Sequence, residues 1–229
     1  MHPTVIAAEV EDLGFSRVES IFTEPEITKL LKQMPQVKGG MRNLLALPFV
    51  LEVAQHPKLL RYVHSILGQN AFPFKATLFD KNPEANWLVP WHQDLTIPVD
   101  RHFEQPVEYP DWGPWSTKAG VLFVQPPTPI LEKILAVRIH LDSCLPNNGA
   151  LKVLPKTHQI GRLSSAHIAA LRQQIPTHTC AVNAGGIVLM RPLLLHSSSK
   201  STLASHRRVI HFEYAAQQLP DPYPKLVSA

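Results

Sequence analysis

Cysteine, glycine and charged residues are all scarce in this chain. Its 229 residues include 2 cysteines and 10 glycines, and 17% of them are charged. Cys144 and Cys180 are too few for a disulfide framework and lack the spacing of a metal-binding cysteine motif. No window approaches the roughly 18 consecutive apolar residues of a membrane span, and Met1–Val10 lacks the charged start and apolar core of a signal peptide. We therefore expect a soluble, cytoplasmic protein.

The basic residues do not form a run that would indicate a nucleic-acid surface. The formal net charge is +4 and the isoelectric point about 9.1, but lysine and arginine are scattered and no basic stretch carries interleaved aromatic residues. Mild basicity of this kind accompanies solubility more often than it selects a partner. We expect a monomer or weak dimer that acts on a small-molecule substrate, with no nucleic-acid and no membrane partner.

Apolar residues and proline are abundant instead. Hydrophobic residues make up 45% of the chain, which is enough for a sizeable core, and 22 residues are prolines. Because proline is poorly tolerated inside helices and central strands, this composition predicts many short elements. At this length we expect a single domain over residues 1–229.

Helical patterns occupy the first third of the chain and strand patterns the rest. Thr23-Glu24-Pro25-Glu26 predicts a capping box at the start of a helical part over about residues 23–68. Short strand patterns fill about residues 72–216. This order predicts a mainly β fold with flanking helices, whose core is a double-stranded β-helix (a cupin-like jelly roll). Residues 98–130 hold seven prolines and no sustained periodicity, so we predict a lid-like loop there.

His92 and Asp94 are the first candidates for chemistry. In a strand they project to one side while Gln93 points to the other. An imidazole and a carboxylate so placed are two thirds of the 2-His-1-carboxylate triad, which holds Fe(II) and leaves three coordination positions open. A polar pair in the core or on the surface would give the same short pattern, so a second histidine must be found elsewhere.

The second histidine is His196. The most apolar strand pattern, residues 185–195, runs directly into it, and the small polar residues 197–200 follow. A histidine that ends a buried strand in this way can point into the mouth of a barrel. A core histidine hydrogen-bonded to the backbone is the alternative.

Two consecutive arginines begin the next strand pattern. If Val209 and His211 share the inward parity of Arg207, then Arg208 faces outward. A guanidinium at the base of a cavity is a natural bidentate partner for a carboxylate. Burying it for any other reason would require a permanent acidic partner.

These motifs together resemble the phytanoyl-CoA dioxygenase family of Fe(II)/2-oxoglutarate-dependent oxygenases. The likeness rests on His92-x-Asp94, on the run from Asn147 to His158, and on His196 with Arg207 eleven residues later; it covers about residues 10–216. The resemblance implies that His92, Asp94 and His196 bind the iron. It implies that Arg207 binds the distal carboxylate of 2-oxoglutarate. The cofactors would be Fe(II), 2-oxoglutarate and O2.

The resemblance implies two further residues near 2-oxoglutarate, which are aligned with the family by their spacing from its motifs. Arg138 falls where relatives place a polar or aromatic side chain against 2-oxoglutarate, and Lys75 falls on a strand that lines the same pocket. Val209 stands where many 2-oxoglutarate oxygenases outside the family use serine, which leaves the co-substrate one hydrogen bond short unless Lys75 or Arg138 supplies it. Lys156 stands where family members often have glycine, a difference in a surface turn.

The resemblance implies hydroxylation of a C–H bond, with release of succinate and CO2. Related halogenases have a small residue at the position of Asp94, so halogenation is disfavoured. Trp112, Trp115 and Gln125, in the proline-rich segment, are predicted to contact a partly apolar substrate.

Three other functions remain open at this point. The same three ligands could hold Zn²⁺ in a hydrolase, because zinc sites also use two histidines and a carboxylate. The barrel could be a non-catalytic, cupin-like binding module, or a purely structural jelly roll. An inward-facing arginine has no evident role in the hydrolase, and Arg207 and Arg138 have none in the structural protein.

Overall fold

Helices flank three antiparallel sheets in the computed structural model, which describes residues 1–103 and 111–228. The helices are α1 (Pro3–Leu13), α2 (Glu24–Gln33), α3 (Pro48–Ala54), α4 (Pro57–Leu67), α5 (Thr128–Leu131) and α6 (Ser165–Gln174). Short 3-10 turns cover Leu44–Ala46, Pro146–Asn148 and Thr157–Ile160. Within the described ranges, no helix is long and apolar enough to cross a membrane.

Most strands are short, as the proline content predicts, but β3, β8 and β13 have 10, 7 and 9 residues. They are β1 (Phe15–Val18), β2 (Gly40–Met41), β3 (Phe72–Lys81), β4 (Val89–His92), β5 (Ile97–Val99), β6 (Trp115–Lys118), β7 (Val121–Val124), β8 (Ile134–His140), β9 (Leu151–Val153), β10 (His178–Cys180), β11 (Ile187–Met190), β12 (His196–Ser198) and β13 (Arg207–Ala215). The large sheet has the order β1-β11-β8-β13-β3-β2, and a second sheet has the order β10-β9-β12-β4. The mainly β jelly-roll fold with flanking helices is therefore confirmed.

Helices α1 to α4 pack on the outer face of the large sheet. Ile210, Phe212 and Tyr214 of β13 are fully buried in the same apolar cluster as residues of α1 to α4. The Tyr214 hydroxyl donates to the Ala54 carbonyl at 2.8 Å. Because strand side chains alternate, the odd-numbered residues of β13, beginning with Arg207, face the interior between the sheets.

The helical part begins earlier than predicted. The capping box of α2 is confirmed, since the Thr23 amide donates to Glu26 Oε2 at 2.7 Å. Helix α1, however, precedes the predicted boundary at residue 23: Pro3 occupies its first turn, where a missing amide proton costs nothing. Its buried residues Ile6 and Val10 join the helical side of the core.

The predicted loop over residues 98–130 is wrong for the part that the structure describes. Strands β5, β7 and β6 form a third antiparallel sheet there, and α5 follows it. Strands of three or four residues are too short to show periodicity in sequence. Ala119 and Gly120 have φ angles of 50° and 79°, as in the two-residue turn that suits a hairpin. Residues 104–110 lie outside the described residues.

Candidate metal centre and co-substrate cavity

His92 and Asp94 lie at the end of a strand rather than within one. Strand β4 stops at His92, and Asp94 follows in extended chain. The Asp94 amide donates to the carbonyl of Pro192 at 2.9 Å, which ties this segment to the chain just before His196. The side chains still converge, with His92 Nε2 at 3.6 Å from Asp94 Oδ1.

His196 opens strand β12 rather than ending β11. The apolar run predicted as one strand stops at Met190, and the chain turns before His196. His196 pairs in register with His92 across the β12–β4 ladder, and the two rings are 4.1 Å apart. His196 Nε2 lies 3.6 Å from Asp94 Oδ2. One ligand atom from each of these three residues lies within 4.8 Å of the others, close enough to share one metal ion.

Backbone carbonyls set the tautomers of both histidines. His92 Nδ1 lies 2.8 Å from the Pro90 carbonyl, and His196 Nδ1 lies 2.9 Å from the Leu194 carbonyl. A carbonyl only accepts, so each Nδ1 must carry the proton and each Nε2 keeps its lone pair toward Asp94. Second contacts of this kind orient metal-binding histidines in general.

The pKa shifts of His196 and Asp94 also suit a divalent metal, while the pKa of His92 is raised because the burial of its ring is outweighed by Asp94. Burial and the neighbouring His92 lower the pKa of His196 to about 4. Burial raises the pKa of Asp94, but His196, His92 and His211 outweigh it and hold that pKa well below the usual range. A neutral imidazole and a carboxylate are the forms that bind a metal.

Gln93 joins the two ligand-bearing segments from the opposite side. Its amide nitrogen donates to the carbonyls of Leu193 at 2.7 Å and Gly161 at 2.8 Å. Its amide oxygen accepts from the Leu163 amide at 2.9 Å. Gln93 therefore points away from the two candidate ligands, as the alternation predicts, and both ends of its side-chain amide are hydrogen-bonded.

The candidate ligands open into a cavity of about 260 Å³. Arg207, Arg138 and Lys75 also line this cavity. Trp112, Trp115 and Gln125 are not among its lining residues in the described chain. Trp112 is buried instead, stacked on Tyr223 with ring centroids 5.3 Å apart. Their predicted contact with substrate has no support in this geometry.

Arg207 is buried in the cavity wall without an acidic partner among the described residues. It is 2% exposed, and among the described residues its side chain makes one polar contact, from Nη1 to Cys144 Sγ at 3.9 Å. Its Nε has no hydrogen-bond acceptor within the described part of the chain. A buried guanidinium left in this state is costly. It fits a carboxylate supplied by a ligand.

Two residues near Arg207 had no signal in the sequence. Lys81 pairs in register with Arg207, is fully buried, and donates to Ser198 Oγ and to the Ser199 carbonyl, both at 2.6 Å. Burial and the charges of Arg207 and Arg138 lower the pKa of Lys81 to about 7. Ser198 lines the cavity, and its hydroxyl, which accepts from Lys81, donates to the Gly149 carbonyl at 2.8 Å. In sequence, Lys81 begins a turn pattern and gives no sign of burial.

Lys75 lies at the other end of the cavity from Arg207. Its ammonium is bonded to Glu213 Oε1 at 2.6 Å. Glu213 is six residues from Arg207 along β13, roughly 20 Å in an extended strand. His211, whose Nε2 is 3.9 Å from Asp94, stands between them. The predicted role of Lys75 beside the co-substrate anchor therefore does not fit its position.

A second group of possible ligands, Asp94 with His211 and Glu213, is better described as a hydrogen-bond network. Their ligand atoms also lie within 4.8 Å of one another. However, Arg138 Nη1 donates to His211 Nδ1 at 3.0 Å. That bond leaves the proton on Nε2, which faces Glu213 Oε1 at 3.4 Å. Because Lys75 already neutralises Glu213, this group is satisfied without a metal.

Comparison with known proteins agrees with this site. The family model described as "Phytanoyl-CoA dioxygenase" matches residues 36–209, which include all three candidate ligands and Arg207. The chain belongs to the phytanoyl-CoA dioxygenase family. This family uses Fe(II), 2-oxoglutarate and O2, so the chain falls among the Fe(II)/2-oxoglutarate-dependent oxygenases. No curated protein matches the sequence.

Solved structures of other proteins share the fold of this chain at low sequence identity. The epimerase SnoN from nogalamycin biosynthesis, described as α-ketoglutarate dependent, is 14% identical with a TM-score of 0.68, over 93% of this chain and 80% of that one. EctD from S. alaskensis is 17% identical with a TM-score of 0.70, over 94% and 78%. AviO1 from Streptomyces viridochromogenes Tue57 is 20% identical with a TM-score of 0.66, over 97% and 96%.

The family's frequent glycine at the position of Lys156 has a structural reason. Lys156 adopts a φ of 69°, in the left-handed region that favours glycine. Its ammonium forms an ion pair with Asp12 at 2.8 Å. The side chains of Lys156 and Asp12 are 56% and 60% exposed, so the pair lies on the surface. The departure from the family pattern therefore lies outside the cavity.

Proposed function

We propose that this protein is an Fe(II)- and 2-oxoglutarate-dependent oxygenase that hydroxylates a C–H bond of a small molecule and releases succinate and CO2. His92, Asp94 and His196 would hold the iron, and Arg207 would hold the distal carboxylate of 2-oxoglutarate. When bound, the iron supplies the redox chemistry that couples O2 reduction to decarboxylation of the co-substrate. The protein supplies the ligands, the anchor and the cavity that holds them.

One observation carries the proposal: a buried arginine, with no acidic partner among the residues that the structure describes, shares a cavity with two histidines and an aspartate. His211, which is 3.9 Å from Asp94, is the fourth residue after Arg207 along β13. This spacing is roughly 13 Å along an extended strand. An arginine side chain followed by a five-carbon diacid can span that length. Arg207 thus provides a charge and a distance that match 2-oxoglutarate.

The neighbouring groups favour the same ligand. Arg138 and Lys81 add positive charge around Arg207: burial and the charge of Arg207 lower the pKa of each of them. A dianion entering this region would relieve repulsion among three buried cations.

A zinc hydrolase is the less favoured function. Zn²⁺ would accept the same three ligands, but a hydrolase gives no role to Arg207. The retention of Asp94 similarly argues against halogenation. Proteins of similar fold include an epimerase and a carbocyclase. A product assay distinguishes hydroxylation from these two reactions.

The proposal is tested by succinate formation. The anaerobically purified protein is incubated with Fe(II), ascorbate and 2-oxoglutarate, O2 is admitted, and succinate is measured over time. Asp94→Ala should abolish both iron retention and succinate, whereas Asp12→Ala, which removes an exposed carboxylate, should abolish neither. Succinate no higher in the wild type than in Asp94→Ala, with or without candidate substrates, would overturn the oxygenase function.

A further inference from the structure

A small recess adjoins the cavity at the end remote from Arg207. Its volume is about 30 Å³, and it shares Lys75 and Thr77 with the main cavity. Arg42 and Lys118 complete its polar lining, and Phe123 provides an apolar wall. Three cations from three separate elements therefore converge on one opening.

The positive charge of this recess is only partly balanced. Lys75 is paired with Glu213, but Arg42 and Lys118 form no ion pair with any residue that the structure describes. The ammonium groups of Lys75 and Lys118 lie 5.9 Å and 5.0 Å from the centre of the Phe123 ring. Burial and the charges of Lys75 and Arg42 lower the pKa of Lys118. Such mutual repulsion is relieved by an anion placed between the cations.

Arg42 and Lys118 each stand next to a residue with a positive φ angle. Lys118 precedes the Ala119-Gly120 turn between β6 and β7, and Arg42 precedes Asn43, whose φ is 58°. Non-glycine residues such as Ala119 and Asn43 adopt positive φ at a cost, which persists where the surrounding structure requires it. Both residues line the recess beside the cation that they follow.

The recess and Arg207 lie on opposite sides of the candidate metal ligands. Along β13, Arg207 is at one end, His211 is beside Asp94, and Glu213 with Lys75 is at the other end. A molecule that reaches the metal from the side opposite to 2-oxoglutarate would pass this opening. That molecule is the primary substrate.

We infer, on the basis of the proposed oxygenase function, that the primary substrate carries an anionic group, a carboxylate or a phosphate, which Arg42 and Lys118 bind at this recess. Lys75 adds to the positive potential and holds Glu213 away from the anion. Phe123 contacts the apolar part of the substrate next to its charged group. No residue predicted from the sequence as substrate-binding takes part.

The experiment measures binding rather than turnover. The protein is loaded anaerobically with Fe(II), titrated to saturation with 2-oxoglutarate, and then titrated calorimetrically with hexanoate, hexyl phosphate or 1-hexanol. We expect at least one anion to bind and hexanol to bind at least tenfold more weakly. The stronger of the two anions distinguishes a carboxylate substrate from a phosphate ester.

Two variants test the assignment to the recess. The double variant Arg42→Gln/Lys118→Gln should weaken binding of the preferred anion at least tenfold. The matched control Lys29→Gln/Lys32→Gln removes the same charge from the exposed face of α2 and should leave that affinity unchanged. The single variant Lys118→Glu, at a half-buried turn position that tolerates a polar side chain, should weaken anion binding further than Lys118→Gln.

Three outcomes would overturn the inference: equal binding of hexanol and the anions, no binding by any probe, or equal anion affinity in the double variant and the wild type. The first titration separates these outcomes from failure of the proposed function. Absence of the 2-oxoglutarate signal would count against the oxygenase, whereas a normal 2-oxoglutarate signal without anion preference would count only against the recess.

Discussion

Arg207 and Arg208 are adjacent in β13, yet only Arg208 has a carboxylate partner among the described residues. Arg208 forms a two-point ion pair with Asp142, in which Nε and Nη2 each donate to a carboxylate oxygen at 2.8 Å. Arg207 points to the opposite face, into the cavity, where Cys144 Sγ is its one polar contact within the described part of the chain. The pair provides a matched comparison between an arginine that is already satisfied and one that is not.

We predict that Arg207→Ala raises the KM for 2-oxoglutarate far more than it weakens iron binding. Removing one partner of a buried, hydrogen-bonded charge pair costs about 2–5 kcal/mol, which is a factor of about 30 or more. The measurement combines succinate kinetics with the iron content of the purified protein. Arg208→Ala should leave that KM near the wild-type value, and equal loss of iron and co-substrate binding in Arg207→Ala would make Arg207 a structural residue.

We predict that breaking the Lys75–Glu213 pair destabilises the fold. The side chains are 18% and 4% exposed, so Glu213→Gln leaves the Lys75 ammonium buried without its counter-ion. The expected loss is about 3–5 kcal/mol in the free energy of unfolding, measured in urea. The double variant Lys75→Met/Glu213→Leu should lose less than Glu213→Gln alone, because no unpaired charge remains.

A surface pair provides the control for that series. Lys38 and Glu84 are 3.5 Å apart with side chains 86% and 73% exposed. Glu84→Gln should change the free energy of unfolding by no more than about 0.5 kcal/mol. A loss as small as this in Glu213→Gln would mean that water reaches the inner pair in solution.

The charge on Lys81 should make 2-oxoglutarate binding depend on pH. Burial and the neighbouring arginines lower the pKa of Lys81 to about 7, so its ammonium is charged below that pH and neutral above it. Added positive charge beside Arg207 favours a dianion. The KM ratio of Lys81→Met to wild type should therefore be largest below pH 7 and approach one above it. A ratio that stays constant from pH 6 to pH 8.5 would contradict this role.

The capping box of α2 should contribute stability that disappears in acid. Hydrogen bonds from Lys58 and from the Thr23 amide lower the pKa of Glu26 from 4.5 to about 2. The contribution is therefore complete above the unfolded-state pKa and is lost as the pH falls through about 2. Because both side chains are more than a third exposed, solvent screening limits the charge contribution to about 1 kcal/mol. Unfolding of wild type and Glu26→Gln should differ at pH 6 and coincide near pH 2; a difference that persists at pH 2 would be inconsistent with this origin.

The parts of the fold that the sequence predicts best are those where one physical signal dominates. The capping box at Thr23 gives the start of α2, and the apolar stripe of Leu59 and Val63 gives α4. Alternation along β13 correctly predicts an inward Arg207 and an outward Arg208. Each of these signals is local, or depends on a single periodicity.

The parts that were missed depend on tertiary contacts. Strands β5, β6 and β7 are too short for their period to be recognised, and their pairing makes them strands. Lys81 and Glu213 look like surface residues in sequence because only the folded barrel buries them. The alternation of His211 and Glu213 with Arg207 was the available signal for the inner network, since all three share one parity. Helix α1 depends on packing of Ile6 and Val10 against the sheet.

Gln93 holds the segments that carry the candidate metal ligands together before a metal binds. Its three hydrogen bonds join it to Leu193, 100 residues away, and to Gly161 and Leu163, 68 and 70 residues away, before any ion binds. The conformational entropy of bringing His92 and Asp94 to His196 is therefore lost during folding rather than during metal uptake. Loading with iron should then resemble the filling of a rigid chelator, with little change in the backbone.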